Sequence, residues 1–383
     1  MISSFTFVCE IPRDFNSVLK STLKKIDFKP TLAFCFVSID FPLKQIMDSF
    51  QQYGINLFGT TSAGEILFDS DGDIMLNRGA VLVLTDIPAS SFQLQLLKMD
   101  NFTQDVFGKE AGEIIKQRFK EPSVLTSFSG LGKNIQAVID NILIKTRSQL
   151  KMYGCLAGDD LKLEKALVFT EKEITDCGAI FLILDDEKIG LNGMTTSGWN
   201  GLGTDFTVTH SEENVVSEID NIPALDFYVN YLNILEEDLP MIGLEYPLMI
   251  KHQDGTFSLR AINKIDKEKR SLIFSSSIKS GTVFSFSASP GFEILEKTRE
   301  KVIAFYEKNQ SADLMFLYSA VARQLATGPL INTEIKLAAI KWRVPLVGCF
   351  NYGEIAKDND QPSKFYNQSF TLALLTEKPA PSL

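Results

Sequence analysis

Histidine and cysteine are scarce in this chain of 383 residues, which limits the chemistry it can carry. There are two histidines and five cysteines, and no two cysteines form a C-x-x-C pair. Structural zinc sites place Cys and His at close spacing, so no metal site of that kind is expected. The odd number and wide spacing of the cysteines predict free thiols in a reducing compartment, which favours a cytoplasmic protein.

A surplus of basic residues is also missing. The chain has 38 Lys and Arg against 48 Asp and Glu, a formal net charge of -10. Nucleic acids and anionic membrane surfaces attract basic proteins, so neither is an expected partner. No apolar run approaches the roughly 18 residues of a membrane span. The first twelve residues carry no basic segment before their apolar residues, so no signal peptide is predicted.

The chain does have the composition of a sizeable globular fold. Hydrophobic residues make up 45% of it, enough to bury a large core. Its length suits two domains or one duplicated domain. The 29 phenylalanines suit thick aromatic cores or an apolar ligand cavity.

One short motif is written three times. Each copy has two apolar residues, a glycine, a few mostly small residues, a second glycine and a carboxylate. We call the copies the first, second and third glycine–acid loops: Gly59–Ile66 with Glu65, Gly154–Asp160 with Asp159, and Gly348–Ile355 with Glu354. Three copies with similar neighbours predict repeated structural units.

Each loop ends a pattern of strands and helices that restarts along the chain. In the first copy a continuous apolar strand at Leu32–Ser38 precedes a helix from Pro42 to about Tyr53. In the third copy, strands at Thr282–Ser287 and Leu314–Tyr318 flank a helix at Gly291–Lys308. Strands that alternate with helices are typical of the α/β class. We therefore predict an α/β fold of repeated strand-helix-strand-helix-strand units forming layered sheets.

The middle of the chain has a different character. Residues 196–203 hold three glycines and suit a linker. Beyond them, alternating stretches predict a β-richer middle segment. We place a domain boundary near residue 200, which gives a domain at 1–200 with two internal repeats and a second domain at 201–383.

Several segments together resemble the FIST family of bacterial and archaeal sensory proteins. They are the three glycine–acid loops, Val216–Ala224 with Tyr228, Tyr246–Leu248, Phe365–Ser369, and Ser319 with Arg323, where Ala320 stands in place of the family's usual Cys. The resemblance spans nearly the whole chain and assigns residues 1–200 to a FIST N-terminal-like and 201–383 to a FIST C-terminal-like domain. It implies signal transduction by small-ligand binding, with amino acids proposed as ligands, rather than enzymatic activity.

The third glycine–acid loop is the best predicted ligand site, because aromatic, acidic and basic groups could converge there. Arg323 could hold a ligand carboxylate while Glu354 receives an amine, with Ser319, Tyr352 and Asn367 beside them. Glu65 and Asp159 are the matching acids of the other two loops. The alternative is architectural: the glycines make tight turns, the acids cap backbone groups, and Arg323 forms an internal salt bridge.

Two other functions stay open. A subset of the family resembles haem-binding nitric-oxide sensors, and haem would need an axial ligand such as His210 or His252. A hydrolase would use Ser62, although Thr60 stands where a nucleophile elbow has its first glycine. The Gly130–Asn134 stretch lacks the earlier glycine and the Ser/Thr of a phosphate-binding loop.

The combined prediction is a stand-alone sensory protein without a required cofactor. A ligand bound between the repeats would favour one packing of the domains. The signal would then pass to a separate partner, such as a histidine kinase, a diguanylate cyclase or a chemotaxis protein.

Overall fold

The computed structural model describes residues 1–100, 102–146, 149–239, 241–252, 257–359 and 361–379. Over this part of the chain the α-helices are α1 (Phe15–Lys25), α2 (Leu43–Tyr53), α3 (Gln104–Arg118), α4 (Ile135–Thr146), α5 (Ala224–Leu232), α6 (Met241–Glu245), α7 (Glu293–Lys308), α8 (Val321–Thr327) and α9 (Ile331–Trp342). Among the described residues, no helix is long and apolar enough to span a membrane.

The β-strands of the same ranges form four sheets. They are β1 (Ser4–Cys9), β2 (Leu32–Val37), β3 (Asn56–Thr61), β4 (Glu65–Asp69), β5 (Gly72–Leu76), β6 (Ala80–Thr85), β7 (Phe92–Lys98), β8 (Pro122–Ser129), β9 (Lys151–Leu156), β10 (Val168–Phe169), β11 (Ile174–Thr175), β12 (Gly178–Asp185), β13 (Ile189–Thr196), β14 (Asn200–Glu212), β15 (Val215–Ile219), β16 (Ile222–Pro223), β17 (Leu248–Lys251), β18 (Phe257–Arg260), β19 (Ile262–Asp266), β20 (Ser271–Phe274), β21 (Val283–Ala288), β22 (Leu314–Ala320), β23 (Leu346–Asn351), β24 (Glu354–Ala356), β25 (Lys364–Tyr366) and β26 (Phe370–Glu377).

Three units repeat one topology, which confirms the predicted α/β class with repeated units. Their strand orders are β1-β6-β2-β3, β7-β12-β8-β9 and β13-β26-β22-β23. In each unit the last two strands of that order are parallel, and the others pair antiparallel. Helices connect the parallel strands, as a crossover requires.

The hairpin after each glycine–acid loop joins the sheet of a different unit. The first unit's hairpin β4–β5 pairs with β23, the second unit's β10–β11 with β3, and the third unit's β24–β25 with β9. The three units therefore exchange hairpins in a closed ring, and each loop is the point where the chain crosses between sheets. The predicted domain boundary near residue 200 stays a prediction.

The first glycine of the second and third loops is required by close approach of the backbone. A Cβ atom at Gly154 would lie 1.7 Å from the carbonyl oxygen of Thr126, and one at Gly348 would lie 1.9 Å from that of Leu317. No side chain fits there, because each glycine sits against the parallel neighbour strand. The repeated glycine is thus explained by strand packing.

The centre of the ring is an apolar core shared by all three units. Phe34 of the first unit, Leu125 of the second and Phe316 of the third belong to one buried cluster. The Phe34 and Phe316 rings lie 4.6 Å apart between centroids. All six residues of β2 are buried, as the continuous apolar run at Leu32–Ser38 predicts.

The β-richer middle segment is confirmed as a separate sheet, which we call the inserted sheet (β14 to β21, with α5 and α6). Its strand order is β18-β17-β21-β14-β15-β20-β19, with β16 paired to β15. The linker predicted at 196–203 is shorter in the structure, because Asn200 already begins β14, which pairs with β21 from Asn200 to Thr207. The strand predicted at Thr282–Ser287 belongs to this sheet as β21.

The first strand of the third unit was therefore predicted wrongly. It is β13 (Ile189–Thr196), which pairs antiparallel with β26 along its whole length. The inserted sheet separates β13 from α7 in the sequence. The strand that directly precedes α7 is β21, so the sequence pattern assigns β21 to the third unit instead.

Candidate functional site

A cavity of about 370 Å³ lies beside the third glycine–acid loop, and we call it the Trp199 cavity. Four parts of the chain line it: the end of β13 with the following segment to Trp199, strands β17 and β18 of the inserted sheet, Lys301 of α7, and third-unit residues in and around β25. The last group includes Asn367 and Ser369. The cavity thus lies where the inserted sheet meets the third unit.

Glu354 stands directly behind the wall of this cavity. It is fully buried, and its Oε2 accepts hydrogen bonds from the backbone N–H (3.0 Å) and the hydroxyl (2.6 Å) of Ser369. Its Oε1 has no hydrogen-bond partner in the part of the chain that the structure describes. Burial raises the pKa of the Glu354 carboxyl to about 8, although the bonds from Ser369 oppose the shift. Glu354 is therefore mostly protonated near neutral pH.

Asn367 joins the inserted sheet to the third loop. Its Oδ1 accepts a hydrogen bond from the backbone N–H of Ala261 at 3.2 Å, and its Nδ2 donates to the carbonyl of Tyr352 at 3.3 Å. One side-chain amide thus contacts both the inserted sheet and the third loop.

Arg323 is an internal anchor in this structure. Its Nε donates to Glu334 at 3.1 Å, and its Nη2 donates to Glu334 and to the Thr298 hydroxyl. Its Nη1 donates to the carbonyls of Ser197 and Gln368. Since the guanidinium has five N–H donors, all of them are used. A ligand role for Arg323 stays a prediction, and it would require this network to open.

Trp199 and an ion pair complete the cavity. The Trp199 ring lies over the Arg323 guanidinium at 5.7 Å, and its indole N–H donates to the carbonyl of Glu245. Lys301 Nζ and Asp358 Oδ1 are 2.9 Å apart, with side chains 32% and 31% exposed. The cavity therefore offers an aromatic surface and one accessible charge of each sign.

The second loop uses its acid differently. Asp159 is buried, and its carboxylate accepts hydrogen bonds from the backbone N–H groups of Leu163 (2.8 Å), Glu164 (2.7 Å) and Lys165 (2.7 Å). The Tyr352 hydroxyl also donates to it. Tyr352 and Asp159 thus hold each other, and their ligand roles stay predictions.

The first loop resembles the third in one respect. Glu65 is fully buried; its Oε1 accepts from the Ser62 hydroxyl, and its Oε2 has no hydrogen-bond partner among the described residues. Burial raises the pKa of Glu65 to about 8. The buried Ser62 hydroxyl is bonded to this carboxyl rather than to either histidine, so the hydrolase hypothesis gains no support.

Ser319 lies at the end of β22, fully buried. Its hydroxyl has no hydrogen-bond partner within the described ranges. It pairs in register with Phe350 of the third loop, and its ligand role also stays a prediction.

The two histidines lie on the inserted sheet and are exposed. His210 is in β14, and His252 follows β17, with its Nε2 2.9 Å from the Ser258 hydroxyl. A haem axial ligand lies inside an apolar pocket, so these exposed positions do not fit one. Haem binding stays a prediction. Among the described residues, no cluster of His, Cys, Asp and Glu could hold a metal ion.

The sequence pattern did not single out Trp199, Lys301, Asp358 or Tyr366 as site residues. One signal was present: Trp199 is one of only two tryptophans and stands in a glycine-rich stretch. Lys301 and Asp358 could not be paired from the sequence, because nothing in the pattern brings α7 to the loop after β24.

Comparison with protein families gives two adjacent matches. The FIST N domain matches residues 31–222, and the FIST C domain matches residues 224–357. No curated protein matches the chain.

Proposed function

Because the chain belongs to the FIST family, whose domains are small-ligand sensory domains, we propose that it senses an α-amino acid bound in the Trp199 cavity. The observation that carries this proposal is the Lys301–Asp358 pair in the cavity wall. A zwitterionic amino acid can separate such a pair and form one ion pair with each of the two residues. The ammonium group binds Asp358 and the carboxylate binds Lys301.

The rest of the cavity supports a small, partly apolar ligand. Its volume of about 370 Å³ is at the lower end of the range for small-molecule pockets. Trp199 and Met249 offer apolar surface for the ligand side chain, while Asn367 and Ser369 offer polar groups. This differs from the pairing expected from the sequence, since Lys301 and Asp358 take the roles assigned there to Arg323 and Glu354.

The signal is a shift in how the inserted sheet packs on the third unit. The hydrogen bonds that cross that junction beside the cavity include Ala261 to Asn367 and Trp199 to Glu245. A ligand that touches both sides stabilises one arrangement over others in proportion to its differential affinity. A cytoplasmic histidine kinase, diguanylate cyclase or chemotaxis protein would then read the exposed face of the inserted sheet.

Calorimetric titration with amino acids tests the proposal. We expect saturable binding of at least one amino acid and weaker binding of the matching carboxylic acid that lacks the amine. Asp358→Asn should weaken amino-acid binding at least about tenfold, because hydrogen bonds to charged groups contribute about 1.5–3 kcal/mol. Asp176→Asn, at an exposed aspartate outside the cavity, is the matched control. Binding that is unchanged in Asp358→Asn, or absent for every amino acid, contradicts the proposal.

A further inference from the structure

A larger cavity of about 570 Å³ shares Lys301 and Asp358 with the Trp199 cavity. We call it the lysine cavity, because Lys151, Lys301, Lys308 and Lys357 line it. We infer that it binds a small phosphorylated metabolite. The inference does not depend on the function proposed above.

The lining of this cavity is mainly basic, whereas the chain as a whole is acidic. Four lysines and one acidic residue, Asp358, line it, in a protein with a net charge of -10. Lys301 pairs with Asp358, and Lys357 donates to the carbonyl and side-chain oxygens of Gln149. Lys308 makes no ion pair within the residues that the structure describes, and Lys151 shares the Asp186 carboxylate with Lys378. A cavity with this excess of positive charge attracts anions.

The fold alone does not impose this charge, as the cavities beside the two other exchanged hairpins show. The cavity at the β4–β5 turn is lined by two acids and two bases: Asp69, Asp73, Lys336 and Arg343. The cavity at the β10–β11 turn is lined by Glu171, Lys172 and Glu173 and has only about 190 Å³. Only the cavity at the β24–β25 hairpin combines a large volume with an excess of lysine among these three.

The shape of the wall indicates what the anion carries. Met194, Phe305 and Tyr153 give the cavity an apolar side, and Asn192 and Asn359 add neutral polar groups. Lysine ammonium groups bind phosphate as point charges from several directions. A phosphate group bound by the lysines and a carbon or ring-shaped body against the apolar side match this arrangement.

Titration with inorganic pyrophosphate, with the ionic strength held constant within each titration, tests the inference. We expect saturable binding to one site, and weaker binding in titrations that are run at higher salt. The double substitution Lys151→Gln and Lys308→Gln should weaken it at least about tenfold, since each removes a charge-assisted hydrogen bond. Lys20→Gln with Lys24→Gln, two exposed lysines on α1, makes the same charge change and should leave binding unchanged. Equal weakening in both double variants, or no saturable binding, overturns the inference.

Lysine labelling tests the same point without a substitution. Acetylation read by mass spectrometry should show Lys151 and Lys308 protected by pyrophosphate, while Lys20 and Lys24 react as before. Labelling that pyrophosphate leaves unchanged at Lys151 and Lys308 also overturns the inference. The Asp358→Asn variant separates the two proposals: it should weaken amino-acid binding but strengthen pyrophosphate binding, because it removes the acidic residue of the lysine cavity.

Discussion

The second and third glycine–acid loops occupy equivalent positions in their units, yet their acids do opposite things. Asp159 of the second loop is surrounded by donors, three of them backbone N–H groups. Glu354 of the third loop keeps one oxygen without a partner in the described structure and has a pKa of about 8. One acid holds a loop through hydrogen bonds, and the other is a buried carboxyl beside a cavity.

The difference arises from the backbone conformation after each acid. After Asp159 the chain turns through Asp160, Leu161 and Leu163 with positive φ, which folds the backbone back on the carboxylate. At Glu354, strand β24 has already begun, and the backbone pairs with β9 and β25. The side chain therefore turns toward Ser369. A repeated motif thus has a structural role in one unit and lies beside a cavity in another.

The largest expected effect comes from the buried network that anchors the third unit. Arg323→Met leaves Glu334 buried without its cation, which should lower the free energy of unfolding by about 3–5 kcal/mol. Urea denaturation measures this. Arg299→Met, at an exposed residue of α7, should change it by no more than about 0.5 kcal/mol. A loss for Arg323→Met as small as the control's would mean that the network does not anchor the cavity wall.

The second loop should depend on its acid almost as strongly. Asp159→Asn replaces an acceptor oxygen with an amide that faces backbone N–H donors, so we expect a loss of about 2–3 kcal/mol. Thermal and urea unfolding measure it, with exposed Asp176→Asn as the control. If Asp159→Asn is as stable as its control, the contrast between the two loops fails.

In the third loop, the acid should instead affect how the stability of the protein depends on pH. A raised carboxyl pKa means that the folded state keeps a proton which the unfolded state loses, so stability falls as pH rises from about 4.5 to about 8. Each such group contributes a slope of about 1.4 kcal/mol per pH unit. Glu354→Gln should remove its contribution to the slope of the unfolding free energy against pH. Glu65→Gln should remove an equal contribution from the first loop. An unchanged slope in the double variant would show that neither carboxyl binds its proton more tightly in the folded protein.

The hydroxyl of Tyr352 links the two loops, and its removal should have the smallest effect of the four changes. Tyr352 belongs to the third loop, but its hydroxyl donates to Asp159 and accepts from the backbone N–H of Leu161 at 3.0 Å. Tyr352→Phe should therefore cost about 1 kcal/mol of stability. Amino-acid binding should not change, because Tyr352 does not line the Trp199 cavity. Hydrogen exchange should locate the loss at residues 159–165, and a loss confined to the third unit would contradict this interpretation.

The sequence pattern predicted the repeats well because their causes are local. Continuous apolar strands, amphipathic helices and the glycines at 154 and 348 all leave signals within a few residues. The exchange of hairpins leaves none, since pairing β4 with β23 joins residues far apart in the chain. For the same reason β13 was not recognised as the first strand of the third unit.

The ligand site at the third loop stays a prediction. Of the residues predicted there, Asn367 lines the Trp199 cavity. The charged residues that line this cavity are not the predicted ones. Arg323 is paired with Glu334, while Lys301 and Asp358 meet only in the folded chain. Residue type alone cannot tell a buried ion pair from an accessible one.

Tryptophan fluorescence tests whether the amino acid binds in the Trp199 cavity. In a Trp342→Phe variant, Trp199 is the sole tryptophan, so its emission reports on the cavity alone. Titration with the amino acid found by calorimetry should change that emission saturably, with the same affinity, and Asp358→Asn should abolish the change over the same concentration range. An amino acid that binds the folded variant without altering Trp199 emission would place the ligand site elsewhere.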